Sequence, residues 1–208
     1  MLCYKWGTIL GIAVLLSSTV IYAGQAITEA QFTIPEGLPK LRAPIVVTTC
    51  GQSPGAMMVK LICDRLGLPC EQRDLLTVQE LEALCASENP PRVLFITTGT
   101  SLKGMGAAGV DVDKEVARCL ALVKRARELG LFIIVGQIEG PSRRTDEYDE
   151  KSIRAITPEA DLLITRADVN WDGYFTAVSQ EKGIPQIFIN QTLDLLTLFP
   201  LIFNGEGG

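Results

Sequence analysis

The sequence predicts a single α/β domain built on a doubly wound, mostly parallel sheet of five to six strands, Rossmann-like or flavodoxin-like. Short continuous apolar stretches such as "VLFITTG" recur along the chain, and longer stretches with helical spacing separate them. Continuous apolar strands are typical of a parallel sheet that helices cover on both faces. The 208 residues suffice for one such domain with a sizeable core, and no internal repeat divides them.

The first half of the domain shows strands and helices in alternation. The strand "PIVVTTC" ends at Cys50, and the helix that follows, from Pro54 to Leu66, stops at Gly67, a residue suited to a left-handed C-cap. A weak, polar strand, "CEQRDLL", is expected near an edge of the sheet. Thr77 then caps the helix "VQELEALCA". The buried strand "VLFITTG" leads into "TSLKGMGAAGVD", which is predicted as a long loop.

The second half continues the alternation. The helix "DKEVARCLALVKRARELG" precedes the buried strand "LFIIVGQIEG". A charged loop, "PSRRTDEYDE", and a short helix, "KSIRAIT", lead to the fifth strand, "ADLLITR". The helix "DGYFTAVSQEKG", the sixth strand "IPQIFI" and the closing helix "TLDLLTLFPLIF" complete the domain.

The ends of the chain differ from this pattern. Residues 1–26 contain a short apolar run, a single charge at Lys5 and small residues before the end at Ala26. This predicts a cleaved secretory signal, with an uncleaved membrane anchor as the alternative. Residues 27–43 form a leader segment, 44–203 the Rossmann-like domain and 204–208 a tail. The expected location is secreted or periplasmic, in contact with a membrane only if the first segment stays uncleaved.

The composition excludes two function classes. The formal net charge of −5 argues against a nucleic-acid partner, because phosphate binding requires a basic face. The chain has no histidine, which excludes a Ser-His-Asp triad, although "GQSPG" matches the G-x-S-x-G pattern of hydrolase nucleophiles. Pro54 also lacks the N–H that an oxyanion hole would use. Ser53 is therefore interpreted as the N-cap of the first helix.

Candidate binding residues lie in four loops after the strands, where open α/β sheets bind ligands. In "TTCGQSPG" the helix N-terminus favours an anion, and Cys50 is either a reactive thiolate or a buried small residue. In "TTGTSLKGMGAAG", glycines and hydroxyl residues surround Lys103, and such glycines allow backbone turns that bind anions. This loop does not match the P-loop pattern. The remaining loops are "EGPSRRTDE" and "DVNWDG". The predicted ligand-binding residues are Thr49, Cys50, Gly51, Gln52, Ser53, Gly55, Thr98, Gly99, Thr100, Ser101, Lys103, Gly104, Glu139, Arg143, Arg144 and Asp168.

A calcium site is a further candidate in "DVNWDG", which matches the first half of a calcium loop. Asp168, Asn170 and Asp172 would be the ligands. The match stops at the position that requires a bidentate glutamate, because Ser179 stands there. Turn and capping roles are therefore favoured for these side chains. No other cofactor is predicted.

Five cysteines follow residue 26. Cys63 and Cys70 flank the end of the first helix and are placed to pair, whereas Cys85 and Cys119 are predicted as small core residues. An odd number of cysteines leaves at least one free thiol in an oxidising compartment.

Four segments resemble an uncharacterised family of exported bacterial proteins whose domain of unknown function is labelled 6305. They are "VVTTCGQSPGAMMVKLICDRLG", "TTGTSLKGMGAAGVDVDKE", "IEGPSRR" and "RADVNWDGYF". The resemblance implies an N-terminal signal and a Rossmann-like domain. It implies no activity, because no chemistry is assigned to the family.

The leading hypothesis is a binding domain for a small anionic or polar ligand at the carboxyl edge of the sheet. One alternative is an enzyme that uses Cys50 as nucleophile or redox group, with Glu139 or Asp168 as its acid or base. The other is an envelope interaction module without a ligand. An enzyme is not the favoured hypothesis.

Overall fold

The computed structural model describes residues 32–203, which form one α/β domain around a six-stranded sheet. Its strands are β1 (Ile45–Cys50), β2 (Cys70–Gln72), β3 (Val93–Thr98), β4 (Phe132–Gln137), β5 (Leu162–Arg166) and β6 (Gln186–Ile189). Every neighbouring pair is parallel, in the order β2-β1-β3-β4-β5-β6. The predicted fold class is confirmed. The order is the flavodoxin-like one with a sixth strand added beyond β5.

Helices cover the sheet on both faces. They are α1 (Gly55–Leu66), α2 (Val78–Cys85), α3 (Leu102–Ala108), α4 (Val112–Glu128), α5 (Glu147–Ile156), α6 (Tyr174–Lys182) and α7 (Leu195–Ile202). Helices α1 and α7 pack on one face, where Val47 and Phe95 are buried. Helices α2, α4, α5 and α6 pack on the other face, where Val46 and Ile96 are buried.

Strands β1 and β3, which both lie inside the sheet, explain why the sequence shows continuous apolar runs instead of an alternating pattern. All six residues of β1 and all six of β3 are buried, because each strand has helices on both sides. β2 lies at the edge of the sheet, pairs only with β1, and is half-buried, as its polar sequence indicates.

Helix boundaries follow local capping. Gly67 ends α1 in the left-handed conformation, with a φ of 68°. Thr77 and Glu80 form a reciprocal capping box at the start of α2. Helix α5 begins at Glu147, inside the segment predicted as a charged loop, because the Asp146 side chain accepts hydrogen bonds from the N–H groups of Tyr148 and Asp149.

The ends of the domain meet beside the sheet. Leu41 is buried and forms a parallel bridge to Phe203, so part of the predicted leader packs on the core. The predicted signal segment 1–26 and the tail 204–208 lie outside the described residues. Between residues 32 and 203, no helix has the length and apolar character needed to cross a membrane.

Helix α3 lies where the sequence predicted a loop. The Ser101 hydroxyl caps it by accepting a bond from Gly104 N at 3.1 Å, and Gly109 ends it in the left-handed conformation. Gly104 faces the loop after β1: an added Cβ would come 2.3 Å from the Gln52 carbonyl oxygen. Gly106, in the same helix, has nothing within 4 Å of its Cβ position. Gly104, one of the glycines that suggest a loop, thus allows close packing.

Gly104→Ala is expected to destabilise the protein by about 1–3 kcal/mol, since a backbone oxygen must move to admit the methyl group. The matched control Gly106→Ala is expected to stabilise it by about 0.5–1 kcal/mol, because alanine restricts the unfolded chain and meets no obstacle. Urea unfolding of both variants measures the difference. Equal effects would show that the contact of Gly104 with the β1–α1 loop has no energetic role.

Candidate functional site

The chain order reverses between β1 and β3, and two loops meet at the carboxyl ends of these strands. Gln52 and Thr100 form an antiparallel bridge, and Ser101 N donates to the Gly51 carbonyl at 2.8 Å. Gly51 has a φ of 122°, and a Cβ on it would lie 2.7 Å from the Gly99 oxygen. Glycine is required here for both reasons. The topology therefore brings the first two predicted loops together at the switch point.

Glu139, in the loop after β4, caps helix α1 from outside the helix. Its Oε1 accepts hydrogen bonds from Gly55 N at 3.0 Å and from the Ser53 hydroxyl at 2.5 Å. A Cβ on Gly55 would come 2.7 Å from that oxygen, so glycine makes room for the carboxylate. The expectation that Ser53 caps the helix is wrong: the N-cap is Pro54, and no side chain of the cap residue bonds to the helix.

The same contacts determine what the "GQSPG" turn can do. The Glu139 carboxylate occupies the helix N-terminus at which an external anion was expected. Ser53 is only 4% exposed, and its oxygen also lies 3.2 Å from the Thr49 hydroxyl. The turn is thus a buried polar junction between β1, α1 and the β4 loop.

A second carboxylate, Glu115 of α4, holds the other side of the β1–α1 loop. Its Oε2 accepts bonds from Gly51 N at 3.0 Å and from Gln52 Nε2 at 2.8 Å. The Glu115 side chain has no exposed surface and pairs with Arg118 at 2.8 Å. Gln52 adopts a positive φ of 54°, which is rare for a non-glycine residue and is stabilised here by these bonds.

Arg118 extends this network to the strand ends. Its guanidinium donates to the Thr49 carbonyl at 2.6 Å, to the Thr48 hydroxyl at 3.1 Å and to the Leu76 carbonyl at 3.1 Å. These roles of Glu115 and Arg118 were not predicted from the sequence. Charges three residues apart on an amphipathic helix usually belong to its solvated face, and only the adjacent buried Cys119 hinted otherwise.

The strand ends themselves are closed to solvent. Cys50 has no exposed surface, and Cys119 is fully buried as well, with its thiol 3.8 Å from the Thr49 carbonyl. The Cys50 carbonyl accepts a hydrogen bond from the Ser152 hydroxyl. The Ser152 oxygen in turn accepts a hydrogen bond from Gly99 N at 3.3 Å. Thr98 is likewise fully buried. The structure offers no surface through which a substrate would reach the Cys50 sulfur.

Asp149 of α5 secures the loop after β3. Its Oδ1 accepts hydrogen bonds from Thr100 N and from the Thr100 hydroxyl, both at 2.7 Å. Its Oδ2 accepts a hydrogen bond from Thr145 N at 2.8 Å. Only 2% of Asp149 is exposed. The loop after β3 is therefore anchored by a buried carboxylate, as the loop after β1 is.

A cleft of about 410 Å³ opens beside these anchors, between the start of α3 and the start of α5. Arg143 enters it from a 3-10 turn (Pro141–Arg143); its Nη1 donates to the Thr100 carbonyl at 2.9 Å and its Nε lies 3.4 Å from Glu139 Oε2. Lys103 also lines the cleft, is exposed, and pairs with no carboxylate among residues 32–203. The residues that form its walls include Thr100, Ser101, Lys103, Arg143, Asp146 and Asp149.

Arg144 points away from this cleft. Its guanidinium binds both oxygens of Asp172, at 2.8 and 2.7 Å, and Glu150 at 2.6 Å. It also stacks 4.5 Å from the centre of the Trp171 ring. Only 1% of the Arg144 side chain is exposed. The two adjacent arginines are therefore separated: Arg143 lies in the cleft and Arg144 inside a closed ionic cluster.

The predicted calcium ligands have partners within the protein. Asp168 pairs with Arg166 at 2.5 Å, away from the cleft. Asn170 Oδ1 accepts a hydrogen bond from Phe175 N at 3.0 Å, and Asp172 Oδ1 accepts one from Tyr174 N at 3.1 Å. Both bonds cap the start of α6. The Arg144 guanidinium takes the place of a cation at Asp172. Among the residues of the described domain, no cluster of three or more His, Cys, Asp or Glu side chains could hold a metal ion.

The chain belongs to the family described as domain of unknown function DUF6305, whose model matches residues 42–203. This confirms the family resemblance inferred from the four sequence segments. No curated protein matches the chain.

Three solved structures illustrate what the fold is similar to. The psychrotrophic esterase EstA from Pseudoalteromonas sp. is 16% identical, covers 76% of this chain and 91% of its own, and has a TM-score of 0.33. AlinE4, an SGNH-hydrolase family esterase, is 9% identical, with coverage of 80% and 85% and a TM-score of 0.34. A GDSL-like lipase from Bacteroides thetaiotaomicron is 13% identical, with coverage of 71% and 67% and a TM-score of 0.34. Likenesses this distant support no conclusion about activity.

Glu115→Ala is expected to lower the free energy of unfolding by about 3–5 kcal/mol, because it leaves the largely buried Arg118 unpaired and two loop donors without an acceptor. Glu128→Ala is the matched control: Glu128 pairs with Arg125 on the same helix at the same spacing, but at the surface. Its expected effect is about 0–1 kcal/mol. Urea unfolding tests both, and similar losses would contradict the anchoring role of Glu115.

Burial raises the pKa of Glu139, and the bonds from Ser53, Arg143 and Gly55 only partly oppose it. The folded protein therefore holds this proton more tightly than the unfolded chain. Stability attributable to Glu139 is expected to fall as the pH rises above the ordinary glutamate pKa of 4.5 toward the raised folded value.

Glu139→Gln keeps an oxygen that can accept from Ser53 and Gly55, and it cannot ionise. The difference in Tm between wild type and this variant is expected to shift in favour of the variant as the pH rises through that window. Melting curves across the acid range provide the measurement. A pH-independent difference would contradict a raised pKa.

Proposed function

We propose that this protein binds a small ligand carrying a carboxylate, a phosphate or a comparably polar group in the cleft between α3 and α5. The single observation that carries this proposal is that two cations, Lys103 and Arg143, line the same open cleft beside the switch point. The same edge of an open α/β sheet is where ligands generally bind.

The supply of donors supports an anionic group. Lys103 lines the cleft, is exposed, and makes no ion pair with a carboxylate of the described domain. Arg143 uses Nη1 and Nε for Thr100 and Glu139 and keeps Nη2 for another acceptor. A guanidinium held by two protein contacts is preorganised, which reduces the entropy lost when a ligand binds.

The acidic residues of the cleft already have hydrogen-bond donors within the protein. Both oxygens of Asp149 accept bonds from Thr100 and Thr145. Asp146 Oδ1 accepts two N–H groups at the start of α5, and its other oxygen remains available at the rim. A ligand that also carries a hydroxyl or amino group could donate to that oxygen. The chemistry fits a small polar acid better than a purely hydrophobic molecule.

The proposed setting is the cell envelope. The segment 1–26 has the composition of a secretory signal, and a domain exported with this cleft would encounter small acids and phosphates outside the cytoplasm. Comparison of the mass of the protein recovered from the medium or periplasm with that of the full chain tests export and cleavage directly.

Thermal-shift titrations with inorganic phosphate, succinate and glycerol test the binding proposal. We expect phosphate or succinate to raise the Tm and glycerol at equal concentration to have no comparable effect, since only the anions engage Lys103 and Arg143. Lys103→Ala is expected to weaken anion binding by about tenfold or more, equivalent to about 1.4 kcal/mol.

Lys124→Ala is the matched control, because Lys124 is an exposed lysine on α4 that does not line the cleft. It should bind the anion as wild type does. Equal weakening by both substitutions would indicate general charge attraction. The absence of any anion effect on the wild-type protein would reject the proposed ligand class.

A further inference from the structure

A second cleft lies at the amino edge of the sheet, opposite the edge that carries the proposed ligand site. Its volume is about 310 Å³, and its walls come from the leader and from the residues around the starts of β3 and β4. Three of the side chains that line it are cations, and all three are exposed: Lys40, Arg42 and Arg92. None of them forms an ion pair with a carboxylate between residues 32 and 203, and no acidic residue of that range lines the cleft.

Backbone hydrogen bonds fix the walls of this cleft. Leu41 N donates to the Ile202 carbonyl at 2.8 Å, which holds the leader against the end of α7. Arg92 N donates to the Pro44 carbonyl at 2.8 Å, and the Arg92 carbonyl accepts a hydrogen bond from Phe132 N at 3.0 Å. The cations are therefore carried on an ordered backbone, which reduces the entropy lost when an anion binds.

Another cleft at the amino edge provides a comparison, because its cations are ion-paired. It is lined by Arg127, Lys182 and Asp161, among other residues. Arg127 lies 3.7 Å from the Glu159 carboxylate, and Lys182 lies 3.4 Å from that of Glu181. The two clefts therefore differ in whether their cations are already neutralised by carboxylates of the described domain.

We propose that the cleft of Lys40, Arg42 and Arg92 binds the phosphate-bearing headgroups of anionic phospholipids, so that the amino edge of the sheet rests on a membrane surface. Anionic headgroups supply the negative charge that these cations lack, and each basic side chain near such a surface adds to the attraction. The formal net charge of the chain is −5. The attraction is nevertheless local, because the potential at a surface depends on how the charges are distributed.

The chain that leads into the cleft favours a membrane over a free phosphate. The predicted signal or anchor segment ends at Ala26, and residues 27–31 separate it from Phe32, where the described domain begins. Five extended residues span at most about 18 Å. Phe32 and Leu38 pack against the core. The leader that forms one wall of the cleft would therefore begin close to any bilayer that holds segment 1–26.

An exposed apolar side chain adjoins the same wall. The Lys40 ammonium donates to the Leu201 carbonyl of α7, and the Leu201 residue is 46% exposed. Proteins that bind membrane surfaces combine basic side chains, which attract anionic headgroups, with apolar side chains, which enter the headgroup boundary. Lys40 and Leu201 supply both kinds of contact.

This orientation would leave the proposed ligand site accessible. Because all strands are parallel, Arg42 and Arg92 lie at the amino edge, and the loops of Lys103 and Arg143 lie at the carboxyl edge. A domain that rests on its amino edge turns the cleft between α3 and α5 away from the membrane. The membrane contact does not depend on the ligand proposed above, so Lys103→Ala should leave it unchanged.

Flotation of the full chain with lipid vesicles tests the membrane contact. Vesicles of phosphatidylcholine are compared with vesicles of equimolar phosphatidylcholine and phosphatidylglycerol. Segment 1–26 is expected to contribute to binding on both, so the measured quantity is the ratio of the two partition coefficients. We expect Arg42→Gln combined with Arg92→Gln to lower the preference for anionic vesicles by about tenfold or more. Added salt should lower the preference of the wild-type protein.

Arg127→Gln combined with Lys182→Gln is the matched control, because it removes the same charge from the ion-paired cleft of the same edge. It should keep the wild-type preference, and melting curves should show that both double variants are folded. Equal partitioning of the wild-type protein onto the two kinds of vesicle, or equal losses in the two double variants, would overturn the proposal.

Photocrosslinking locates the contact on the wild-type protein. Vesicles that carry a photoactivatable phosphatidylglycerol should label the peptides that contain Arg42 and Arg92. Labels confined to segment 1–26, or found around Lys103, would contradict the proposed surface. Thermal-shift titration with glycerol phosphate, a soluble headgroup analogue, separates the two sources of phosphate. A rise in Tm that requires Arg92, without any preference for anionic vesicles, would identify a free-phosphate site and overturn the membrane assignment.

Discussion

The carboxyl edge of this protein depends on the burial of carboxylates against backbone N–H groups. Glu115 and Glu139 approach the β1–α1 loop from opposite sides and accept the N–H groups of Gly51 and Gly55. Removing a charged group from water is unfavourable, and each carboxylate compensates through several short hydrogen bonds and a neighbouring arginine. Without them, the first turn of α1 and the strand-end loop would present unpaired donors to the protein interior. The same junction also contacts the cleft, because Arg143 lies 3.4 Å from Glu139.

Much of the fold could be predicted because it rests on patterns that are local in sequence. Central strands buried on both faces give uninterrupted apolar runs, and the polar edge strand β2 gives a weak one. Caps such as Thr77 and Gly67 act within a few residues of the helix ends they stabilise. Helix α3 could not be predicted in this way. Its glycines lower helix propensity, and the close contact of Gly104 with Gln52 that justifies one of them is long-range.

The candidate site was predictable in outline and not in its contacts. The switch-point rule correctly brought the loops of Gly51 and Thr100 together. The partners of those loops lie far away in sequence, and no spacing signals them: Glu139 caps α1 from the β4 loop, and Glu115 reaches Gly51 from α4. Ser53 illustrates the consequence. Its local sequence is that of an N-cap, but a remote carboxylate offers a stronger acceptor for both its hydroxyl and the helix N–H.

Arg143 and Arg144 show how neutralisation by partners, and not residue type, determines which charges are available to a ligand. Arg144 is balanced by Glu150 and Asp172 and covered by aromatic rings, so its charge is used inside the protein. Arg143 shares its charge with Glu139 across a longer separation of 3.4 Å. An anion in the cleft would therefore be attracted to Arg143 while being repelled by the carboxylate behind it. Lys103 forms no ion pair within the described domain, which makes it the stronger attractor of the two. Arg143, fixed by Thr100 and Glu139, is better suited to orient the anion than to draw it in.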